Sequence, residues 1–283
     1  MALTINSNIA SLTAQRNLAN STTALSTTFK RLSSGLRINN AADDAAGLSI
    51  SDRMTAQIRG FNQSIRDAND TVSLIQVADG ALSQTTDDLQ RMRELAVQAS
   101  NDTNITLDRK DMQQELNQLT AEISRIASNT QFNNQNLLQG SFSAGKRFQV
   151  GANSGQIIMV SIANMGAGVL GLSTNMASFG DATVAGSVNQ NNAELAIGKI
   201  DLAIDKVSAM RAKLGALQNR FTAAISNMTS ISLNTSDARS RITDTDMAAE
   251  TANMTKNNIL QQAGAAVLAQ ANQQPAVILT LLK

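Results

Sequence analysis

The stretch MTAQIRGFNQSIRDANDTVSLIQVADGALSQTTDDLQRMRELA, residues 54–96, carries the strongest periodic signal in this chain of 283 residues. Alternate steps of four and three residues from Met54 reach mostly apolar side chains, which predicts one long amphipathic helix with a single seam. Extended from Gly47 to about Ser100, this helix would measure roughly 80 Å and would need partner helices along most of its length. The seam positions are Met54, Ile58, Phe61, Ile65, Ala68, Val72, Ile75, Asp79, Leu82, Thr86, Leu89, Arg93 and Ala96.

Two partner helices repeat the same stepping and predict a three-helix bundle. The first follows a polar break, SNDTNIT, at residues 100–106, and the second begins at about Ala193. Their apolar positions are Met112, Leu116, Leu119, Ile123 and Ile126, and then Ile197, Ile200, Ile204, Val207, Leu214, Leu217, Phe221, Ile225 and Met228.

The two ends of the chain predict a second, terminal pair of helices. The fold class we predict is therefore mainly α, a long-helix hairpin with a coiled-coil-like terminal pair and a three-helix rod. The apolar positions before Asp43 are Ile9, Leu12, Leu18, Leu25, Phe29 and Leu32, and those after Asp246 are Met247, Met254, Leu260, Val267, Leu268, Val277, Ile278 and Leu281.

Residues 140–192 differ from the helical parts and predict a small β-containing tip. The segment KRFQVGANSGQIIMVSI, residues 146–162, indicates two strands around an Asn-Ser-Gly turn. Residues 163–192 then contain five glycines and the single charge of Asp181, which is typical of a loop with little core of its own.

The composition argues against an enzyme and against a nucleic-acid-binding protein. The chain has no histidine, cysteine, tryptophan or tyrosine, so the usual general base, the usual zinc ligands and the strongest nucleophile are missing. A net charge of +1 and an aromatic content of 2% offer neither a basic surface nor stacking platforms for bases. We expect no catalytic residues, no cofactor and no metal.

Residues 166–171 match the dinucleotide-binding pattern GxGxxG, but we interpret them as glycine-rich turns. A cofactor site would also need a good helix after Gly171 and an acidic residue about 20 positions further on. The following segment is a poor helix former, and Asp181 comes too early.

Two acidic clusters are better explained as helix starts than as catalytic or cation sites. Asp43 and Asp44 are adjacent, so on a helix their carboxylates would not face each other. The segment TDTDMAAE, residues 243–250, lacks the glycine and the ligand spacing of an EF-hand loop. Acidic residues at these places favour a helix N-terminus, and we predict a joint between two helices at residues 34–46.

The chain ends indicate neither a secretory signal nor a membrane span. Residues 1–18 lack a basic region followed by a continuous apolar core, although their Ser, Thr and Arg content superficially fits an organellar transit peptide. The apolar run at residues 276–282 is too short to cross a bilayer.

Five motifs, in this order, resemble bacterial flagellins. They are RLSSGLRINNAADDAAGLSISDRM (31–54), LQRMRELAVQASNDTN (89–104), NTQFNNQNLLQG (129–140), LGALQNRF (214–221) and ANQQPAVILTLLK (271–283). The resemblance covers residues 1 to about 162 and 193–283 and implies a structural subunit that self-assembles into the flagellar filament used for swimming. The alternative within the same organelle is a hook-filament junction protein, which shares the terminal pairing.

The resemblance also implies a division of the chain. Residues 1–42 would form the N-terminal inner-tube helix and the start of a spoke, residues 43–162 and 193–242 the rod, and residues 243–283 the C-terminal inner-tube helix. Residues 163–192 leave room for only a short variable region, so we expect a thin, smooth filament. The polymerisation residues would be Ile9, Leu12, Leu18, Leu25, Phe29, Leu32, Leu260, Val267, Leu268, Ile278 and Leu281. Ala276 departs from the glutamine that often follows the terminal proline in flagellins.

The partners implied by the resemblance are further copies of the chain, a flagellar export chaperone on the C-terminal helix, hook-associated and cap proteins, and Toll-like receptor 5. Nucleic acid and membrane are not among them. Export without a cleaved signal peptide would place the chain outside the cell. The receptor-facing positions of flagellins correspond here to Arg91, Leu95 and Glu115; Arg91 and Leu95 share a helix face, but all three also fit as plain bundle residues.

Overall fold

The structure, a computed structural model, describes residues 7–172 and 188–281, with side chains at 7–172 and 192–273. The predicted fold class is confirmed, because long helices dominate the described chain and the strands are few and short. The elements are α1 (Ile9–Ser34), α2 (Ala45–Ala99), α3 (Thr106–Asn129), β1 (Gln131–Phe132), β2 (Gln135–Asn136), β3 (Lys146–Gln149), β4 (Ile157–Val160), α4 (Ala167–Leu170), α5 (Val188–Thr243) and α6 (Met247–Leu281).

Two compact units divide the chain. Unit 1 consists of Met1–Ile58 and Leu233–Lys283, and unit 2 is the continuous segment Arg59–Ser232. Unit 1 is built around α1 and α6, whereas unit 2 contains the two β-hairpins, α3, α4 and most of α2 and α5.

One hydrophobic core holds unit 2 together. Apolar side chains of α2, α3 and α5 meet at helical spacing, because each helix carries a stripe of leucine, isoleucine and methionine. The largest fully buried side chains include Leu82, Leu89, Leu116, Ile123 and Phe221. The predicted three-helix bundle is thus present within unit 2.

The seam of α2 is wider than the predicted single line. Three residues that the alternate stepping passed over, Ala78, Met92 and Leu95, are buried. Two predicted seam positions, Asp79 and Arg93, lie instead at the edge of the buried seam. Arg93 Nε binds Asp201 Oδ1 at 2.7 Å and Arg211 Nε binds Asp79 Oδ1 at 3.0 Å, so both are ion-paired to α5. A strict 3.5-residue period drifts around a helix of 3.6 residues per turn, and α2 packs against more than one neighbour.

The predicted hairpin at residues 146–162 is present, and a smaller one was missed. Strands β3 and β4 pair antiparallel with Lys146 opposite Val160 and Gln149 opposite Ile157. The missed hairpin joins β1 to β2 through Asn133 and Asn134, whose φ angles are 47° and 61°. Asparagine is one of the few residues that enters this left-handed region readily, which suits a two-residue hairpin turn.

Unit 1 is an antiparallel helix pair. The side chain of Asn8, before α1, donates to the carbonyl of Ala271 near the C-terminal end of α6, at 2.7 Å, and Arg31 near the other end of α1 lies 4.0 Å from Glu250. The predicted terminal pairing is therefore confirmed. None of the described helices is long and apolar enough to cross a membrane.

Candidate functional site

Unit 1 exposes large apolar side chains on both of its terminal helices. Five of the predicted polymerisation residues expose between 46% and 65% of their surface, so the helix pair does not bury them. Exposed apolar side chains grouped on one element often mark a surface that binds another protein. These five, here called the outer apolar set, are Ile9, Leu12, Phe29, Leu260 and Val267.

The remaining predicted polymerisation residues belong to a different class. Leu18, Leu25, Leu32 and Leu268 are half-buried, which places them at or near the contact between α1 and α6. A Cβ atom added to Gly264 would lie 3.5 Å from Leu18 Cδ1, which shows how closely α6 approaches α1 at this point. Ile278 and Leu281 lie in α6, but their side chains are outside the described part of the structure.

Two exposed apolar residues of α6 were not among the predicted polymerisation residues. Ile259 exposes 60% and Met247 51% of its surface. Ile259 is next to the predicted residue Leu260, and this adjacency of two apolar residues was the signal that could have identified it. We add both to the apolar surface of unit 1.

Polar contacts fix the register of the helix pair. Ser11 Oγ and the Asn272 side chain lie at hydrogen-bond distance, 2.7 Å, one turn along α1 from the bond between Asn8 and Ala271. The side chain of Gln261 reaches the hydroxyl of Thr22 at 3.5 Å, near the middle of the pair. Since these bonds are specific in position, the outer apolar set is presented in one arrangement.

The connections into and out of the long helices are held side by side within unit 1. The backbone N–H of Arg37 donates to the carbonyl of Thr243 at 2.6 Å, and that of Thr245 donates to the carbonyl of Gly35 at 3.0 Å. Gly35 has a φ of 72°, the left-handed conformation that commonly ends a helix. The Arg37 guanidinium adds a bond to the carbonyl of Ile242 at 2.6 Å.

The predicted joint at residues 34–46 is confirmed, and its two acids act on the backbone. Asp43 Oδ2 accepts from the N–H groups of Asn39 and Asn40 at 3.0 and 3.1 Å, and these bonds lower the pKa of Asp43. Asp44 Oδ1 accepts from the N–H of Gly47 at 2.9 Å and so caps α2. Both carboxylates lie just before α2 and not in its first turn.

The second acidic cluster caps α6 in the same way. Asp246 Oδ1 accepts from the N–H groups of Ala248 and Ala249 at 2.9 and 3.2 Å. Asp244 accepts from the hydroxyls of Ser240 and Thr243, which lower its pKa. The helix-start interpretation is confirmed, and the described residues contain no group of three or more acidic side chains arranged to hold a metal ion.

The glycine pattern at residues 166–171 brackets one helical turn. Gly166 precedes α4, and Gly171 ends it with a φ of 87°. The hydrogen bond from Leu172 N–H to the carbonyl of Ala167, 2.8 Å, closes the turn. The interpretation as turn glycines holds, with the addition of a four-residue helix that the sequence did not predict.

The three predicted receptor-facing residues do not share one environment. Arg91 Nε binds Glu115 Oε1 at 2.9 Å and its Nη1 binds Glu94 Oε2 at 3.1 Å, all three being exposed. The Glu115 bond, followed by that of Glu94, raises the pKa of Arg91. Leu95 is only 2% exposed and belongs to the core of unit 2, so its side chain is not presented to a partner here. The structure therefore brings Arg91 and Glu115 together at the surface and places Leu95 beneath it.

Unit 1 has a fixed antiparallel pair of terminal helices and an exposed apolar surface. These two features are typical of a structural subunit that completes its packing by assembling with others. Comparison with known proteins identifies the class to which this subunit belongs. The model of the bacterial flagellin N-terminal helical region matches residues 5–143, and that of the C-terminal helical region matches residues 197–282. The chain belongs to the flagellin family. It is a structural subunit of the flagellar filament, which lies outside the cell, and not an enzyme.

Relatives match over nearly their whole length. The chain is 45% identical over 280 residues to a flagellin of Halalkalibacterium halodurans, covering 99% of both chains. It is 43% identical over 288 residues to the flagellar filament 33 kDa core protein of Treponema phagedenis, again covering 99% of both. A putative flagellar hook-associated protein from Vibrio parahaemolyticus is similar in structure, with a TM-score of 0.57 over 72% of this chain and 98% of the other, at 13% identity. That last likeness concerns the fold alone.

Proposed function

We propose that the terminal pair of this filament subunit forms the inner tube and drives polymerisation. Residues 1–42 and 243–283 supply the inner-tube helices, residues 43–162 and 193–242 the outer rod, and residues 163–192 a short variable segment. The observation that carries this assignment is the exposure of the outer apolar set on α1 and α6. Stacked copies would cover these side chains; burial from full exposure contributes about 1.5–3 kcal/mol for each side chain, and roughly half of that remains to be gained here.

The assembly is of the head-to-tail kind. A surface that meets a different surface on the next copy gives a ring if the rotation between copies closes and an open helical polymer if it does not, and a filament is the open case. The short segment at residues 163–192 leaves little mass to decorate the outside, which favours a thin filament that rotates to drive swimming.

Seeded assembly of point variants tests the terminal surface. Val267→Asp and Leu12→Asp place a charge in the outer apolar set, and we expect the rate of filament growth on seeds to fall at least tenfold, measured by negative-stain electron microscopy. Thr23→Asp is the matched control, because Thr23 is exposed on α1 and its hydroxyl bonds only to the carbonyl of Ala19 within its own helix. A chain lacking residues 1–42 and 251–283 should not extend seeds at all. Equal growth by the Asp variants and wild type would place the assembly surface elsewhere.

We infer that export and capping use the same ends of the chain. The chain would leave the cell unfolded through the flagellar export channel without a cleaved signal peptide, with an export chaperone covering the apolar side chains of α6 beforehand. Hook-associated and cap proteins would contact the first and last copies of the filament. Co-purification of a chaperone with wild type but not with Val267→Asp would support the assignment to α6.

We propose Toll-like receptor 5 as a further partner, with Arg91 and Glu115 as the contacting residues. Their exposed ion pair offers both charges to a receptor surface, while buried Leu95 holds the helix that carries Arg91. Arg91→Glu combined with Glu115→Arg retains the pair but reverses its polarity. We expect monomer of this double variant to lose at least tenfold in potency on receptor-expressing reporter cells, with the same charge swap in the exposed pair of Asp237 and Arg241, Asp237→Arg combined with Arg241→Glu, as the control. Full potency of the double variant would reject the assignment.

The alternative role predicted from the sequence, a hook-filament junction protein, has only a likeness of fold to a hook-associated protein in its favour. The two roles differ in copy number. In cells lacking this chain, a filament role predicts hooks without filaments, whereas a junction role predicts filament subunits secreted into the medium. Electron microscopy of the cells and analysis of the medium distinguish the two.

A further inference from the structure

A buried carboxyl group on α2 has no role in the assembly described above. Asp88 exposes 9% of its surface, and its helix neighbours Thr85, Leu89 and Met92 are among the most buried residues of unit 2. A helix of this amphipathic kind would normally place an aliphatic side chain at such a position. Asp88 is instead an ionisable group inside the packed region of the unit.

The hydrogen bonds of Asp88 are incomplete. Its Oδ1 accepts from the Gln84 side chain at 3.2 Å, one turn earlier on the same helix. Its Oδ2 is shielded from solvent, and no protein group donates to it. A buried ionised carboxylate usually requires several donors or a cation, so the charged form of Asp88 is poorly stabilised.

The charged groups around Asp88 do not compensate for its missing hydrogen bonds. The charged groups acting on it are Glu122 of α3 and Asp87 of its own helix, and both are acidic. Arg125 is the nearest cation to Glu122, but its guanidinium is bound to both oxygens of that carboxylate, at 2.7 and 2.5 Å. Burial is the main cause that raises the pKa of Asp88, and the two acids add to it while Gln84 opposes it.

We propose that Asp88 is an acid-responsive element of unit 2, a carboxyl group that binds a proton when the medium is acidified and thereby tightens the packing of α2 against α3. The ligand is a proton, and the source is the medium that surrounds the filament. In the protonated form the buried charge and its repulsion by Glu122 both disappear, while the hydrogen bond from Gln84 to Oδ1 is retained.

The raised pKa of Asp88 determines how the stability of unit 2 changes with pH. Because the folded pKa of Asp88 lies above the ordinary value of 3.8, the folded chain binds this proton more tightly than the unfolded chain. The stabilisation is complete below pH 3.8 and is lost as the pH rises through the folded pKa. At neutral pH the charged carboxylate therefore weakens unit 2.

Direct titration tests the proposal on the unmodified chain. In ¹³C-labelled monomer, the carboxyl resonance of Asp88, assigned by its loss in Asp88→Asn, should titrate with a midpoint above 3.8. A midpoint at or below this value would overturn the proposal. This measurement requires only that the wild-type chain is folded.

Two isosteric variants test the effect on packing. Asp88→Asn removes the charge at nearly constant volume, whereas Asp70→Asn makes the same change at an exposed position of the same helix. At about pH 7 we expect Asp88→Asn to slow amide exchange in α2 and α3 at least threefold relative to wild type, and Asp70→Asn to leave it within twofold. As the pH falls towards 3.8 the advantage of Asp88→Asn should shrink, because the raised pKa lets wild type bind its proton before that value is reached. Faster exchange in Asp88→Asn than in wild type at neutral pH would show that the charged form is the stabilising one.

Discussion

A Cβ atom placed on Gly60 would lie 2.9 Å from the Cβ of Ala152 and 3.1 Å from its Cα. Helix α2 therefore touches the turn of the β3–β4 hairpin at a position where only glycine leaves room. One turn further along α2, the buried Ser64 hydroxyl donates to the carbonyl of Gly151 at 2.9 Å. The hairpin docks on the helix because Gly60 has no side chain to hold it away and because the Ser64 hydroxyl bonds to the turn.

Substitution at this contact should destabilise the hairpin despite the better helix propensity of alanine. Gly60→Ala forces the turn away from α2 at a cost of about 1–3 kcal/mol, against a gain of roughly 1 kcal/mol in the helix. We expect amides such as that of Val150, bonded to Gln156, to exchange severalfold faster. Gly80→Ala is the matched control on the same helix, because an added Cβ there has no atom within 4 Å. It should stabilise α2 by up to about 1 kcal/mol; stabilisation by both variants would mean that the hairpin yields freely.

Removal of the α6 cap should loosen unit 1. Asp246→Ala leaves the N–H groups of Ala248 and Ala249 without their acceptor and should cost about 0.5–2 kcal/mol. Urea unfolding followed by circular dichroism measures the loss. Asp237→Ala, which removes an exposed partner of Arg241, should cost less than about 1 kcal/mol. A larger effect at Asp237 than at Asp246 would contradict the capping role.

Acid should weaken the joint before α2, whereas it should strengthen the packing around Asp88. The N–H groups of Asn39 and Asn40 lower the pKa of Asp43 below 3.8, so its contribution to folding is present above this value and is lost as the pH falls through the folded pKa. We expect the amide resonances of Asn39 and Asn40 to shift together with one midpoint below 3.8 in an NMR titration. Asp43→Asn should abolish that shared transition. Persistence of the transition in the variant would assign it to another group.

Long elements of this fold could be predicted from the sequence because they repeat one signal many times. Helix α2 offered thirteen seam positions, so a few polar exceptions did not hide it. By contrast, β1, β2 and α4 have only two to four residues each, too few to show any period. The terminal pairing followed from the apolar repeat at both chain ends, and both helix caps followed from local residue types, as Asp44 and Asp246 show.

Side-chain burial at single positions was harder to predict. Leu95 lies one residue from the predicted seam position Ala96, and the three-helix packing of unit 2 buries both. Sequence spacing correctly placed Arg91 and Leu95 near each other on α2, but it could not reveal that one side chain lies in solvent and the other in the core. The exposed outer apolar set could not be separated from the half-buried leucines either, because both classes have the same residue types.

The corner between α2 and α3 depends on one buried arginine. Arg109 donates from Nε to the carbonyl of Ala99, the last residue of α2, at 3.0 Å, and from Nη2 to that of Asn101 in the following turn at 3.1 Å; Nη2 also lies 3.6 Å from Asp102 Oδ1. The bond to Ala99 satisfies a carbonyl at the end of the helix, where helical partners run out. Arg109→Met keeps the aliphatic stem but removes both donors, and we expect a loss of about 1.5–3 kcal/mol in the free energy of unfolding of unit 2. Amide exchange at residues 98–106 should accelerate more than elsewhere. Lys110→Met, at the next and exposed position of α3, is the control and should change neither quantity appreciably. Equal effects of the two substitutions would show that charge, and not the two carbonyl bonds, holds the corner.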